Sequence, residues 1–401
     1  MTTAIFQNLT LAPRDPILGI NEAFAADART QKVNLGVGVY TDDTGKVPVL
    51  ECVKRAEQIL ANGAAAPRTY LPIDGLQAYV KAVQQLLLGA DASAVRDERV
   101  VTVQALGGTG ALKLAADFLN RLDPKAGVFI SDPSWENHRA LFESAGFKVE
   151  NYAYYDAATR GLNFAAMKQA LAALPAGAIV VLHACCHNPT GADLDAEQWQ
   201  QVIAIVKARG LVPILDMAYQ GFADSLVQDG AIVREFAEQC APVFIASSFS
   251  KSFSLYGERV GALSIVTGSK DEATRVLSQI KRVIRTNYSN PPTHGGRVVT
   301  TVLNTPELRV LWEQELGQMR DRIKAMRQAL VTQVQARKPG FDFSFVLRQR
   351  GMFSYSGLSA AAVERLRAEF GIYAVDSGRV CVAAINSNNV GAVAEAIAKV
   401  A

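Results

Sequence analysis

A single lysine among hydroxyl side chains, Lys251, carries the clearest chemical signal in the sequence. The apolar run 242–246 before it is short and rich in β-branched and aromatic residues, which is typical of a buried strand. Ser248 and Ser250 precede the lysine, and Arg259 follows eight residues after it. An amine can form a Schiff base with an aldehyde, while hydroxyl and guanidinium groups bind phosphate. The pattern suits a phosphorylated aldehyde, and the alternative is a loop lysine on a solvated surface.

Further side chains fit the needs of a pyridine ring that carries such an aldehyde and a phosphate. Asp216, after an apolar run, could keep the ring nitrogen protonated, or it could cap a helix. Tyr219 and Asn188 could donate hydrogen bonds to the ring oxygen, although Asn188 before a proline also fits an Asx turn. Trp135 could stack on the ring face, but a tryptophan taken alone is more often part of a core.

A glycine-rich segment, 107–111, lies between a predicted strand, 100–105, and a predicted helix, 112–122. Bare N–H groups at such a junction, here at Gly108 and Thr109, can bind phosphate together with a helix dipole. The segment is neither G-x-G-x-x-G nor a P-loop, so a tight turn between strand and helix is the alternative.

Two other stretches leave their function open. Residues 32–40 alternate like a strand but contain Gly36 and Gly38, which indicates a bulge or close approach to a ligand, with the bulge favoured. Tyr70 lies in a loop marked by proline and Asp-Gly, where it could hold its phenol towards an anion. By its residue type alone, Tyr70 is better placed in the core.

The elements that must position these residues alternate between strands and helices. Strands are expected at 127–130, 178–182, 211–215 and 243–246, separated by helical segments, which predicts an α/β fold with a mostly parallel sheet and helices on both faces. Ligands bind such sheets at the carboxyl ends of the strands. The special residues from Gly107 to Lys251 all fall at those ends, and this common location is the strongest argument in the sequence.

Bulk properties exclude several classes of protein. The chain has 401 residues, 49% of them hydrophobic and 20% charged, with a net charge of +3, so nucleic acid and membrane surfaces are not expected partners. We expect no signal peptide and no membrane span, since no apolar run is long enough. The five cysteines form no CxxC pair, which predicts reduced thiols, a cytoplasmic location and no metal site.

The predicted domain organisation has three parts. Residues 1–47 are expected to form an N-terminal arm and part of a small domain, and the turn 13–16 and the apolar residues Ile5, Phe6 and Leu9 belong to the arm. Residues 48–310 form a large domain. Residues 311–401 form a small α+β domain, entered by a long amphipathic helix predicted over 308–330.

Four motifs occur in an order and spacing that resemble a known family: 188–191 (NPTG), Asp216-x-x-Tyr219, 248–251 (SFSK) and 256–261 (YGERVG). They resemble the class I pyridoxal-phosphate aminotransferases of fold type I, and among these the bacterial aspartate and aromatic-amino-acid enzymes. The resemblance runs over nearly the whole chain. It implies pyridoxal phosphate as the cofactor and amino acids and 2-oxo acids as substrates.

The resemblance also implies a role for each candidate residue. Lys251 would be the Schiff base and proton shuttle, Asp216 the partner of the ring nitrogen with His138 behind it, and Tyr219 and Asn188 the donors to the ring oxygen. The remaining cofactor contacts would fall on Gly108, Thr109, Trp135, Ser248, Ser250, Arg259 and Tyr70 of the other subunit. Substrate would meet Gly38, Trp135, Asn188, Arg379 at its α-carboxylate, and Arg285 of the other subunit at its distal carboxylate.

A homodimer with shared active sites therefore follows from the resemblance. By residue type alone, Arg285 and Arg379 are better explained as surface cations. The positions near Val39, Thr41 and Val47 carry no cation, which favours aromatic substrates, whereas Arg285 favours dicarboxylic ones. We expect a dual-specificity enzyme that passes amino groups from tyrosine, phenylalanine and aspartate to 2-oxoglutarate by a ping-pong mechanism. A plain aspartate aminotransferase is the alternative, and a pyridoxal-phosphate lyase a more distant one, disfavoured by the two arginines.

Overall fold

The computed structural model describes residues 6–7, 9–12, 15, 17–63 and 69–401, so Ile5 and residues 13, 14 and 16 of the predicted turn lie outside the described residues. Its strands are β1 (Val33–Asn34), β2 (Val100–Leu106), β3 (Gly127–Asp132), β4 (Lys148–Ala153), β5 (Tyr155–Asp156), β6 (Gly161–Leu162), β7 (Ile179–His183), β8 (Val212–Met217), β9 (Val243–Ser248), β10 (Val260–Val266), β11 (Phe353–Tyr355), β12 (Ile372–Tyr373) and β13 (Arg379–Cys381).

Helices occupy most of the remaining described chain. They are α1 (Leu18–Ala26), α2 (Glu51–Asn62), α3 (Gln77–Leu88), α4 (Ser93–Arg96), α5 (Gly107–Leu122), α6 (Glu136–Ser144), α7 (Phe164–Ala173), α8 (Ala196–Arg209), α9 (Leu226–Asp229), α10 (Ala231–Gln239), α11 (Lys270–Asn287), α12 (His294–Asn304), α13 (Pro306–Arg337), α14 (Ala360–Phe370) and α15 (Val390–Val400). Short 3₁₀ helices cover Ser344–Arg348 and Val382–Ala384.

A mixed sheet forms the centre of the molecule, in the order β2-β10-β9-β8-β7-β3-β4. Strand β10 runs antiparallel to both neighbours, and the other pairs are parallel. Side chains of β7 alternate between two apolar clusters, with Val180 and Leu182 in one and Ile179 and Val181 in the other. The sheet is therefore covered by helices on both faces, as the sequence predicts.

The chain's two ends pair with each other away from the central sheet. Strand β1 runs parallel to β12, and β11 pairs antiparallel with β13. Helix α13 packs against α15 on one side and against α2 and α12 on the other. These contacts join an early segment to the C-terminal elements, and the division into an arm, a large domain and a small domain stays a prediction.

Two local predictions are wrong. Residues 32–40 form only the short strand β1. A Cβ at Gly36 would come within 2.8 Å of Ile20, and one at Gly38 within 2.6 Å of the Phe353 ring. Both glycines thus allow close packing of the backbone rather than a bulge. The segment 107–111 is not a turn, because helix α5 begins at Gly107 and includes all five residues.

Trp312 of α13 anchors the segment that follows Lys251. Its buried ring stacks on Phe253 with ring centroids 4.5 Å apart, and its Nε1 donates to the Ser252 carbonyl at 2.7 Å.

Among the described residues, no helix combines the length and hydropathy needed to cross a bilayer.

Removing this anchor should destabilise the protein measurably. We expect Trp312→Phe to keep the ring stacking but leave the Ser252 carbonyl without its indole donor, a loss of about 1–3 kcal/mol. Thermal unfolding followed by circular dichroism should show a lower midpoint. Val310→Ala, on the same helix at a side chain that is 56% exposed, is the control and should shift the midpoint little. Equal midpoints for both variants would contradict the anchor.

Candidate active site

The carboxyl ends of β7 and β8 form one side of a cavity, as the positions of the special residues predict. It is lined by Gly108, Thr109, Leu112, Trp135, His183, Asn188, Asp216, Ala218 and Tyr219. Register explains the convergence, because Asp216 pairs with His183 on one side and with Ala246 on the other. Residues distant in sequence are thereby placed side by side.

Asp216 is buried and hydrogen bonded to a histidine. His138 Nε2 lies 3.0 Å from Asp216 Oδ2, and His138 Nδ1 lies 2.9 Å from Ser134 Oγ. Burial alone would raise the pKa of Asp216, but the hydrogen bond and nearby charges of His138 and Lys251 leave it below its ordinary value. The site therefore holds a carboxylate anion inside an apolar sheet edge, and Asp216 is not a helix cap.

Lys251 lies with its ammonium group 4.6 Å from the centroid of the Tyr219 ring. Burial lowers the pKa of Lys251 to about 8, while the Asp216 carboxylate raises it and Arg259 and Arg379 lower it further. A lysine with this pKa carries a share of free amine near neutral pH, which a general base or a nucleophile requires. Lys251 is half-buried against the Tyr219 ring, which contradicts the solvated-surface alternative.

A cluster of donors lies beside the lysine. Arg259 Nη1 donates to Ser250 Oγ at 3.3 Å, and the Ser248 and Ser250 hydroxyl oxygens lie 3.2 Å apart. A Cβ at Gly107 would come within 2.5 Å of the Arg259 guanidinium, so glycine permits this approach. The first turn of α5, with Gly108 and Thr109, faces the same cavity and offers N–H groups that helices leave unpaired. The cluster has the composition of an anion site.

Arg379 is buried at the same edge, 1% exposed, so it is not a surface cation. Its Nη1 donates to Asn188 Oδ1 at 3.1 Å and its Nη2 to the Gly36 carbonyl at 2.6 Å. The guanidinium lies 4.4 Å from the centroid of Phe353, the ring that also covers Gly38. Asn188 in turn lies 3.5 Å from the Tyr219 hydroxyl, which links the arginine to the cavity.

Two predicted site residues lie outside this cluster within one chain. Tyr70 is 90% exposed, so its interpretation as a core residue is wrong, and it borders a groove with Asn290 and Thr293. Arg285, in the last turn of α11, is exposed and donates to Ser289 Oγ. The structure thus brings thirteen of the predicted residues to one edge and leaves these two on an open surface.

Trp135 borders the cavity and meets His138 edge to face, with ring centroids 5.2 Å apart, so it is more than a residue of the hydrophobic core.

His183 also borders the cavity, and the sequence analysis assigned it no role. Both its ring nitrogens are buried without a hydrogen-bond partner in the described part of the chain, and burial lowers its pKa to about 3. Its position at the end of β7, in register with Asp216, could have identified His183 as a site residue.

Possible metal-ligand atoms of His138, His183 and Asp216 lie within 4.8 Å of one another. His138 Nε2 already pairs with the carboxylate, and the absence of a metal site stays a prediction.

Comparison with known proteins places the chain in one family. The sequence model of a family described as "Aminotransferase class I and II" matches residues 30–397. A Pseudomonas aeruginosa protein named aspartate aminotransferase is 63% identical, over 99% of this chain and 100% of the relative. An Escherichia coli protein named aromatic-amino-acid aminotransferase is 50% identical, again over 99% and 100%. A Burkholderia pseudomallei structure, titled as an aromatic-amino-acid aminotransferase covalently bound to pyridoxal phosphate, is 65% identical with a TM-score of 0.96 over 99% of both chains.

The negative charge of Asp216 should have a measurable effect on the pKa of Lys251. We expect Asp216→Asn to lower the pKa of Lys251 below about 8, because the carboxylate raises that pKa and the amide does not. The pKa follows from the pH dependence of Lys251 acylation in cofactor-free protein, read by peptide mass spectrometry. Asp224→Asn, at a carboxylate outside the cavity lining, is the control. An unchanged or raised pKa in Asp216→Asn would contradict the electrostatic link.

Proposed function

The chain belongs to the class I and II aminotransferases, and we propose that it transfers the amino group of tyrosine, phenylalanine and aspartate to 2-oxoglutarate with pyridoxal phosphate as cofactor. The observation that carries the proposal is the convergence of Lys251, Asp216 and Arg379 at one buried edge of the sheet. An amine, a carboxylate and a guanidinium are the groups that an aldehyde, a pyridine nitrogen and a substrate carboxylate need.

The residues present fit the proposed cofactor. Ser248, Ser250, Arg259 and the first turn of α5 supply donors for its phosphate, and the Asp216 carboxylate suits its ring nitrogen. Pyridoxal phosphate, when bound, supplies an aldehyde that takes up amino groups and a protonated ring that accepts the electrons of a deprotonated α-carbon. Asp216 would keep that ring protonated, since its own pKa is low and His138 fixes the orientation of its carboxylate.

Lys251 would move the proton of the substrate α-carbon through its Nζ atom. Its pKa of about 8 lies close to neutral, so the amine can accept a proton and then return it. Tyr219 and Asn188 would hold the cofactor's ring oxygen, and Trp135 would cover the ring face. Burial of the Tyr219 hydroxyl raises its pKa, so it stays protonated and can donate.

Arg379 would hold the substrate α-carboxylate. A guanidinium has five N–H groups, and hydrogen bonds to Asn188 and Gly36 occupy two of them. Its Nε is buried without a partner in the described part of the chain. Unpaired donors on a buried cation are a favourable site for a carboxylate, which can accept two of them at once. Gly38 would border this carboxylate, next to Phe353.

The proposed substrate range combines two classes. Arg285 would pair with the distal carboxylate of aspartate and 2-oxoglutarate, and Val39, Thr41 and Val47 would leave room for an aromatic ring. Relatives at high identity bear both names, aspartate and aromatic-amino-acid aminotransferase, which supports this range. A plain aspartate aminotransferase is the second candidate, favoured by Arg285.

We also propose a cytoplasmic homodimer in which Tyr70 and Arg285 complete the partner's site. Support comes from the exposure of both side chains, outside the cluster that they would serve. Exposed apolar residues of the N-terminal arm, Phe6, Leu9 and Leu11, provide further surface for a second subunit. All five cysteines are free thiols, which suits a reducing compartment.

Paired steady-state kinetics test the substrate range. With 2-oxoglutarate as acceptor, we expect kcat/KM for L-tyrosine within about 100-fold of that for L-aspartate, a gap below about 2.7 kcal/mol. Lys251→Ala should abolish both activities. A larger deficit for tyrosine would leave a plain aspartate aminotransferase, and retention of activity in Lys251→Ala would contradict the proton transfer by Nζ.

Hybrid dimers test the shared sites. Arg285→Ala should lower kcat/KM for aspartate by on the order of 30- to 100-fold, since an ion pair to substrate is lost, and lower that for tyrosine far less. Mixing Lys251→Ala and Arg285→Ala subunits, after dissociation and reassociation, should restore aspartate turnover, because one site of each hybrid then has both native residues. If Arg285 acted within its own chain, no hybrid site would be intact and turnover would not return.

A further inference from the structure

Glu136, the first residue of α6, lies next to the buried arginine. Its Oε2 atom is 3.8 Å from Arg379 Nη1, too long for a hydrogen bond but close enough for an ion pair. The same Oε2 is buried and has no hydrogen-bond partner among the described residues. Glu136 follows Trp135, the proposed ring-stacking residue, directly in sequence.

Both members of this pair have unused hydrogen-bonding capacity. An arginine and a glutamate that form a stable buried pair normally meet through two short hydrogen bonds. Here the Nη atoms of Arg379 donate hydrogen bonds to Asn188 and Gly36 instead, and its Nε has no partner in the described part of the chain. The Glu136 side chain is 30% exposed, but its buried Oε2 has no donor, which is costly, and Arg379 is the nearby cation that offsets this cost.

We propose that Glu136 is a resident counter-charge that competes with the substrate α-carboxylate for Arg379. Without substrate, its carboxylate partly neutralises the buried guanidinium. When a substrate carboxylate takes the free donors of Arg379, the two anions repel each other across a short distance in a partly desolvated site. Glu136 thus weakens the binding of every carboxylate at Arg379, substrates and products alike. This inference rests on the proposed role of Arg379.

A weaker hold on all carboxylates has a kinetic consequence. Binding energy that is the same in the ground state and the transition state lowers KM without raising kcat, and a product held too tightly delays turnover. A carboxylate that counteracts Arg379 uniformly would therefore raise KM for aromatic and dicarboxylic substrates by the same factor. Glu136 acts here through Arg379, as a positioning residue.

The alternative role for Glu136 is structural. An acidic residue in the first turn of a helix stabilises the helix dipole, and Glu136 occupies that position in α6. Loss of a purely structural carboxylate would loosen α6 and the adjacent Trp135, and so would weaken ligand binding. The competing-carboxylate role predicts the opposite sign, namely tighter binding. Glu197, an exposed acid in the first turn of α8, offers a matched control.

The test measures the affinity of the cofactor-loaded enzyme for propionate, a monocarboxylate without an amino group, by calorimetry or by the change in cofactor absorbance. We expect Glu136→Gln to bind propionate about tenfold more tightly, and KM for tyrosine and for aspartate to fall by a common factor that exceeds any change in kcat. Glu136→Asp, which keeps the charge, should stay near the native affinity. Glu197→Gln should leave both affinity and turnover as in the native protein.

The variants separate the inference from the function on which it rests. In an Arg379→Ala background, Glu136→Gln should give no tightening, because the contested cation is gone. Unchanged or weaker propionate binding in Glu136→Gln alone, with Arg379→Ala still weakening it, overturns the inference and leaves the role of Arg379 intact. If Arg379→Ala itself does not weaken propionate binding, both the proposed α-carboxylate site and the inference fail.

Discussion

Charge burial at the carboxyl edge of the sheet is the constraint on which the rest of the site depends. Two cations, Lys251 and Arg379, lie close to the carboxylates of Asp216 and Glu136, and both Arg379 and Asp216 are buried. Removing such groups from water is costly unless each has partners, and here the partners are incomplete. Asp216 has His138, but Arg379 keeps unused donors and Lys251 titrates near pH 8. The protein is therefore arranged to complete its electrostatics with a bound anion.

The pairing of strands in the sheet brings these residues together although they are distant in sequence. Parallel pairing places Asp216 beside Ala246 and His183, so residues that are about thirty positions apart in sequence lie side by side. Antiparallel β10 returns the chain so that Gly107 N donates to the Arg259 carbonyl at 3.0 Å. At Gly261, a Cβ would come within 2.4 Å of Gly107, so only glycine allows this contact between strand β10 and the start of helix α5. Backbone contacts thus bring together hydrogen-bond donors from separate segments, and these donors could bind a phosphate.

The strands and the site residues at their ends could be predicted from the sequence, because both depend on the pattern of apolar and polar residues within a short stretch. Apolar runs located the strands expected at 100–105, 127–130, 178–182, 211–215 and 243–246 to within two residues at each end. Residue types at strand ends indicated Lys251 and Asp216. The burial of Arg379 could not be read in this way, because it results from Gly36 and Phe353, which are distant in sequence. Glu136 and His183 were missed for the same reason, since their chemistry depends on neighbours supplied by other elements.

The exposed positions of Tyr70 and Arg285 extend the argument beyond one chain. An aromatic side chain that is 90% exposed beside an open groove gains little within the monomer, and Arg285 has only Ser289 as a hydrogen-bond acceptor in the described chain. In the proposed homodimer, a two-fold axis would place each chain's pair in the other's site, so that both sites are completed by the same contact. Assembly and catalysis would then depend on one surface. Any substitution that weakens this surface would reduce substrate binding as well as association, even though Lys251, Asp216 and Arg379 are positioned by contacts within each chain.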